Sequence, residues 1–171
     1  MSSYLFIDGY NVINAWPELK KIGRSDLEEA RDCLIAQLVD YQSYTGETVI
    51  IVFDAHLVKG SNLKQEWVNG VEVVFTKELQ TADSYIEKKV EELAKMRKNK
   101  VRVATSDWAE QQVVLGSGAI RISARELKLE LDEIKKNIRK KTEAPKKIRS
   151  TLEERIDKKI IEHLEKWRRK Q

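Results

Sequence analysis

The sequence predicts an α/β domain built on a mostly parallel sheet with helices on both faces. Three observations carry this. Short β-prone apolar runs alternate with stretches of helical periodicity. The run Val49 to Phe53 is continuously apolar and lacks the alternation of a half-solvated strand, so both of its faces are expected to be covered. Acidic residues follow the ends of these runs, where open α/β sheets collect their ligands.

The elements follow in order. Residues 4–7 (Tyr-Leu-Phe-Ile) read as a buried strand that ends at Asp8. Ser25 and Glu28 have capping-box spacing. Behind them Leu27, Ala30, Leu34, Leu38 and Tyr41 recur at helical intervals, and Gly46 is a natural stop. Residues 48–53 form the second strand, ending at Asp54. After a polar loop, Asn69-Gly70 is expected to turn a hairpin between Trp67-Val68 and the strand Val71 to Phe75. Thr81 can cap a helix carrying Ile86, Val90 and Leu93. Residues 101–105 make a fourth strand, and Asp107 begins a short helix stopping near Gly116. Ala119 to Ile122 add an edge strand, and Ser123 with Glu126 form a second capping box ahead of Leu127, Leu131, Ile134 and Ile138. Pro145 breaks that pattern. Ser150 and Glu153 open a final helix with Leu152, Ile156, Ile160, Leu164 and Trp167 on one stripe. The expected division is a domain over 1–141 and a basic helical extension over 142–171 that packs on it, with a partner molecule as the alternative.

The composition narrows the class. The chain has 171 residues, enough for a core without disulfide staples. Its single cysteine, Cys33, falls within a helical apolar pattern and reads as a packing residue. No run is long and apolar enough to span a bilayer, and no basic leader precedes the first strand, so a cytoplasmic protein is expected. The net charge of +4 conceals an asymmetry. Residues 135–171 hold 15 Lys or Arg against 6 Asp or Glu, whereas residues 1–134 hold 17 against 22. A basic end beside an acidic body suits a polyanionic partner or, equally, a solvated helix face.

Four aspartates fall at corresponding places. Asp8 and Asp54 end the first two strands, Asp83 opens the helix after the third, and Asp107 follows the fourth. In a parallel sheet those positions share one edge. Converging carboxylates repel each other and take up protons unless a cation sits among them. A hard divalent ion, Mg²⁺ or Mn²⁺, suits an all-oxygen set and can activate water and stabilise phosphoryl charge. Individually, Asp83 and Asp107 also suit helix caps, and Asp54 a turn. The two histidines, His56 and His163, and the single cysteine make no zinc cluster, and no phosphate-binding glycine motif implies an organic cofactor.

The segment Asp8-Gly9-Tyr10-Asn11-Val12-Ile13, with Val52-Phe53-Asp54-Ala55, Thr81-Ala82-Asp83 and Ala104-Thr105-Ser106-Asp107 in the same order, resembles the NYN-domain nucleases, relatives of the PIN-domain ribonucleases. The bacterial YacP-like branch is the most similar. Further matching blocks include Glu29-Ala30-Arg31, Ser123-Ala124-Arg125-Glu126-Leu127 and Lys166-Trp167-Arg168-Arg169. The resemblance implies a three-layer PIN-like fold, a Mg²⁺- or Mn²⁺-dependent RNA endonuclease leaving a 5′-phosphate and a 3′-hydroxyl, association with the ribosome, and cleavage of mRNA during translation.

On that basis Asp8, Asp83 and Asp107 are the expected metal ligands, with Asp54 as an outer ligand or water-orienting group. Asn11 is expected to donate to the scissile phosphate or to position the attacking water; its alternative is a turn residue. Thr105 and Ser106, at a helix start, are candidates for anion contact. Arg31, Arg121, Arg125 and Lys77 are candidates for phosphate contact, each equally suited to a structural role. Trp16, Tyr10, Trp67 and Trp108 either stack on unpaired bases or pack in the core. Two rivals stand beside the nuclease. A Mg²⁺-dependent phosphatase would need similar acids, but Tyr10 occupies the position where a haloacid-dehalogenase-like enzyme places its second Asp. An RNA- or ribosome-binding module would leave the acids without chemistry.

Overall fold

The computed structural model describes residues 2–54, 64–77, 79–95, 98–106 and 118–143. Among the described residues six strands form one sheet: β1 (Ser3–Asp8), β2 (Thr48–Phe53), β3 (Lys64–Val68), β4 (Val71–Phe75), β5 (Lys100–Ala104) and β6 (Ile120–Ile122). They lie in the order β3-β4-β2-β1-β5-β6. All neighbouring pairs are parallel except β3 with β4. The helices among the described residues are α1 (Gly9–Ala15), α2 (Pro17–Gly23), α3 (Leu27–Thr45), α4 (Ala82–Ala94) and α5 (Ala124–Glu143). The expected α/β class and parallel sheet are present.

The alternation of side chains along each strand separates two apolar layers. Phe6, Ile50, Val52, Val74, Val101 and Val103 pack with Ala82, Tyr85, Ile86 and Val90 of α4. Leu5, Ile7, Val49, Ile51, Phe53, Val71 and Val73 are also buried and point by parity to the other face, which α1 and α3 cover. Every residue from Val49 to Phe53 is buried, as a strand covered on both sides requires.

Local chemistry explains most boundaries. Asn69 and Gly70 have φ of 47° and 92°, the left-handed pair of a two-residue hairpin turn, and this aligns Val68 with Val71 and Lys64 with Phe75. Gly46 ends α3 at φ 70°. Thr81 caps α4 through the Ser84 N–H. The Ser123–Glu126 box forms reciprocally, at 2.6 and 3.2 Å.

Two expectations are corrected. The cap of α3 is Asp26, not Ser25. Its carboxylate accepts the N–H groups of Glu28 and Glu29 at 2.9 and 3.0 Å, while the Ser25 hydroxyl donates to the Ile22 carbonyl. A carboxylate satisfies two end-of-helix donors and meets the positive helix terminus better than a hydroxyl does. The stretch between Asp8 and Ser25, to which the periodicity assigned nothing, forms α1 and α2. In α1, Gly9, Asn11 and Asn14 are poor helix formers, and α2, which Pro17 opens at the favoured first position, is too short to show a periodic stripe. Burial of Val12, Ile13, Trp16 and Leu19 holds these short helices in place.

The chain divides into two compact units, Met1–Lys135 and Lys136–Gln171. Of the second only 136–143 is described, as the end of α5. The expected helices after Asp107 and after Ser150 lie outside the described residues, as do His56, Trp108 and His163. No helix among the described residues is long and apolar enough to cross a membrane.

Candidate active site

The carboxyl ends of the parallel strands make one rim. β1 is central: β2 and β4 are added on one side of it, and the chain then returns to place β5 and β6 on the other. The crevice characteristic of such sheets therefore opens between the ends of β1 and β5.

Asp8 is the last residue of β1 and is buried, 9% exposed. Its Oδ1 accepts the Asn11 N–H at 3.1 Å, so one carboxylate both ends the strand and caps α1. The turn between them needs Gly9. A Cβ at that position would sit 2.2 Å from Cε1 of Phe53, whose ring is fully buried. Asp54 directly follows β2. Its Oδ1 accepts the Ala82 N–H at 2.6 Å, which ties the start of α4 to the end of β2 and brings Asp83, in the first turn of α4, to the same rim. By strand parity Asp8 and Asp54 lie on the sheet face that α4 covers.

Across the crevice, Asn11 Oδ1 accepts the Ser106 N–H at 2.8 Å. This bond joins the start of α1 to the chain leaving β5, one residue before Asp107. The Ser106 hydroxyl accepts from the Ala124 N–H at 3.4 Å, and the Trp16 indole N–H donates to the Ala124 carbonyl at 2.8 Å, so the start of α5 is drawn to the same place. Asn11 is thus a tether as well as a candidate for contact with substrate. Thr105 is fully buried, and its N–H donates to the Ile122 carbonyl.

The structure brings Asp8, Asp54, Asp83, Asn11 and Ser106 to one rim. Asp107 lies outside the described residues. Arg121 and Arg125 are exposed near the start of α5. There Ser123 lowers the Glu126 carboxyl pKa, first by its backbone N–H and then by its hydroxyl, with a smaller pull from Arg121. Arg31 stands elsewhere on the rim. It donates to the Tyr10 hydroxyl at 3.0 Å and places its guanidinium 5.9 Å from the centre of the Phe75 ring. Burial raises the Tyr10 pKa against the pull of Arg31, and the Asp54 charge adds to the rise. Lys77 is exposed. Of the candidate stacking residues, Trp16 and Tyr10 are core, at 2% and 8% exposure, and Trp67 is open at 65%.

The donor chemistry of Asp8, Asp54 and Asp83 is all carboxylate oxygen, which fits Mg²⁺ or Mn²⁺ and not a thiolate- or imidazole-seeking metal. Among the described residues no three Asp, Glu, His or Cys already stand as a metal-holding group.

The YacP-like NYN domain model matches residues 5–169. The chain belongs to the YacP-like NYN domain family. It is similar to the uncharacterized protein YacP of Bacillus subtilis (strain 168), with 46% identity over 165 residues and 96% of both chains covered. Two crystal structures of Rae1 (YacP) from Bacillus subtilis have the same fold. A W164L mutant matches with a TM-score of 0.71 at 46% identity, over 85% of this chain and 87% of that one. The second matches with a TM-score of 0.69 at 44% identity, over 97% and 94%. Membership in this NYN family is consistent with a nuclease or RNA-related role.

Proposed function

We propose that this YacP-like protein is a divalent-metal-dependent endoribonuclease that cleaves mRNA in association with the translating ribosome. The observation that carries the reading is the placement of three acidic positions, Asp8, Asp54 and Asp83, on the same strand-end rim as the Asn11–Ser106 bridge at the sheet's reversal point. Asp8, Asp83 and Asp107 would hold Mg²⁺ or Mn²⁺. When bound, such an ion supplies Lewis-acid stabilisation of phosphoryl charge and a more acidic water.

The remaining tasks fall to the chain. Asp54 holds α4 against β2 through one carboxylate oxygen; its other oxygen can accept from a water and orient it. Asn11 uses its carbonyl oxygen on Ser106, and its amide NH₂ remains a donor suited to a phosphate oxygen. Gly9 lets the backbone pass tightly over Phe53, so that Asp8 and Asn11 stand three residues apart at the crevice. The ribosome enters through family resemblance, and the basic composition of 135–171 is compatible with it.

The test is cleavage of labelled mRNA with Mn²⁺, on translating ribosomes and free. Asp8→Asn should abolish cleavage and keep the wild-type unfolding transition, and EDTA should stop the wild-type reaction. Full activity in the variant, or activity indifferent to EDTA, overturns the reading. Binding to RNA or ribosomes without any cleavage would make the protein a binding module.

A further inference from the structure

A carboxylate cluster repels the polyanion it is proposed to cleave, so compensating cations are needed close by. We infer that Arg31 and Lys64, both set against the Phe75 ring, form a subsite for an RNA backbone phosphate next to the acidic rim. The inference rests on the nuclease reading and adds where the substrate chain runs.

The placement follows from the fold. Phe75 ends β4 and pairs with Phe53, the last residue of β2 before Asp54. Lys64 begins β3 opposite Phe75, because the Asn69-Gly70 turn sets that register. Arg31 comes from the second turn of α3, and Tyr10 from the first turn of α1. All of these stand at the carboxyl rim. The rings of Tyr10 and Phe53 lie 5.0 Å apart, and those of Phe53 and Phe75 lie 5.5 Å apart and stacked, so an aromatic tier runs outward from Asp8-Gly9 to the sheet edge. The Arg31 guanidinium and the Lys64 ammonium are each 5.9 Å from the Phe75 centroid.

The charges are available. Arg31 is held by a neutral phenol and a ring face, and among the described residues it has no carboxylate partner. One of its nitrogens is spent on Tyr10, which fixes the plane of the fork and leaves further N–H groups for an anion. Lys64 pairs with Glu66 at 3.2 Å, but their side chains are 67% and 40% exposed. Such a surface pair exchanges readily for a phosphate. Strands are spaced about 4.8 Å apart, so a chain crossing from Asp54 to Phe75 needs only a short step. The subsite lies on the α3 side of the rim and the acids on the α4 side, so the RNA would pass over the strand ends, not along one face.

The experiment is binding of a fluorescent single-stranded RNA to the whole protein in EDTA, where cleavage is stopped, across a salt series. Single-strand affinity falls with salt at about 0.7 in log–log slope per phosphate contact. Arg31→Ala and Lys64→Ala should each reduce the slope by about that amount. Arg31→Ala should weaken binding roughly tenfold. Arg31→Lys keeps the charge but not the fork, so it should retain the salt slope and still bind more weakly. Lys64 is exposed, so its variant reports even if Arg31→Ala fails to fold. Wild-type binding with both slopes unchanged overturns the subsite and leaves the nuclease reading standing. No wild-type binding to RNA, free or on ribosomes, overturns both.

Discussion

Gly9 shows how little room the candidate site has. Its missing Cβ would lie 2.2 Å from a ring that has nowhere to move, since Phe53 is fully buried between Tyr10 and Phe75. Gly9→Ala should therefore cost about 2–3 kcal/mol by overpacking, read as a lower urea midpoint with an unchanged slope. Phe53→Leu in the same chain should recover part of that loss, because it removes the atoms in conflict; no recovery would place the strain elsewhere. Asn11 shows a different limit. The sequence marks it as a polar residue near Asp8, but its carbonyl is committed to the Ser106 N–H, 95 residues away. No local pattern announces a bond of that span. Asp54 is similar: its adjacency to β2 is legible, whereas its bond to Ala82 is not.

Among the elements, α3 offers a direct comparison of two capping residues. Asp26 holds two backbone N–H groups, and Ser25 holds a carbonyl of the preceding helix. Asp26→Ala should lower stability by about 1 kcal/mol, and Ser25→Ala by less; thermal unfolding of the two variants distinguishes them, and equal losses would refute the assignment. The motif pattern alone favoured Ser25 because Ser followed three residues later by Glu is the usual signature. The same signature succeeds at Ser123 and Glu126, where no neighbouring carboxylate competes. The Asn69-Gly70 turn and the pairing of Trp67-Val68 with the strand after it were legible, because a two-residue Asn-Gly turn leaves one alignment. Residues 64–66 read as polar loop from the sequence, so the extension of β3 back to Lys64, opposite Phe75, came only with the structure, as did the Arg31 half of the proposed subsite.

At the scale of the whole molecule, a polar network joins the sheet to α3 and α5. Arg102 of β5 donates to the Tyr41 hydroxyl at 3.0 Å and forms ion pairs with Glu47 at 3.2 Å and Glu130 at 2.5 Å. The Tyr41 hydroxyl stands 3.0 Å from a carboxylate oxygen of both Glu47 and Glu130, and its one proton serves either of them. The Arg102 and Glu47 side chains are each only 12% exposed. Arg102→Ala should cost about 3 kcal/mol, since it strands a buried carboxylate, measured by denaturant unfolding at neutral pH. The network also sets an alkaline response. Burial, opposed by Arg102 and assisted by Glu47 and Glu130, pushes the Tyr41 hydroxyl far above its ordinary value of 10.0. An unfolded tyrosine ionises near pH 10. The stabilisation is thus complete below that pH and is lost as pH rises toward the folded-state value. Tyr41→Phe should flatten that alkaline decline, followed by melting temperature against pH. A decline of unchanged steepness would assign it to other groups.

The sequence by itself determined the α/β class, the parallel sheet, a few helix ends and the aspartates at the strand ends, because each depends on periodicity, turn chemistry or position along one strand. Only the tertiary structure decided that β1 is central, that the short helices α1 and α2 fill the stretch after β1, and which partners Asn11, Asp54 and Arg31 take. Those outcomes depend on contacts between residues far apart in the chain, where burial outweighs local preference and a side chain's bonds are set by what the sheet order places beside it.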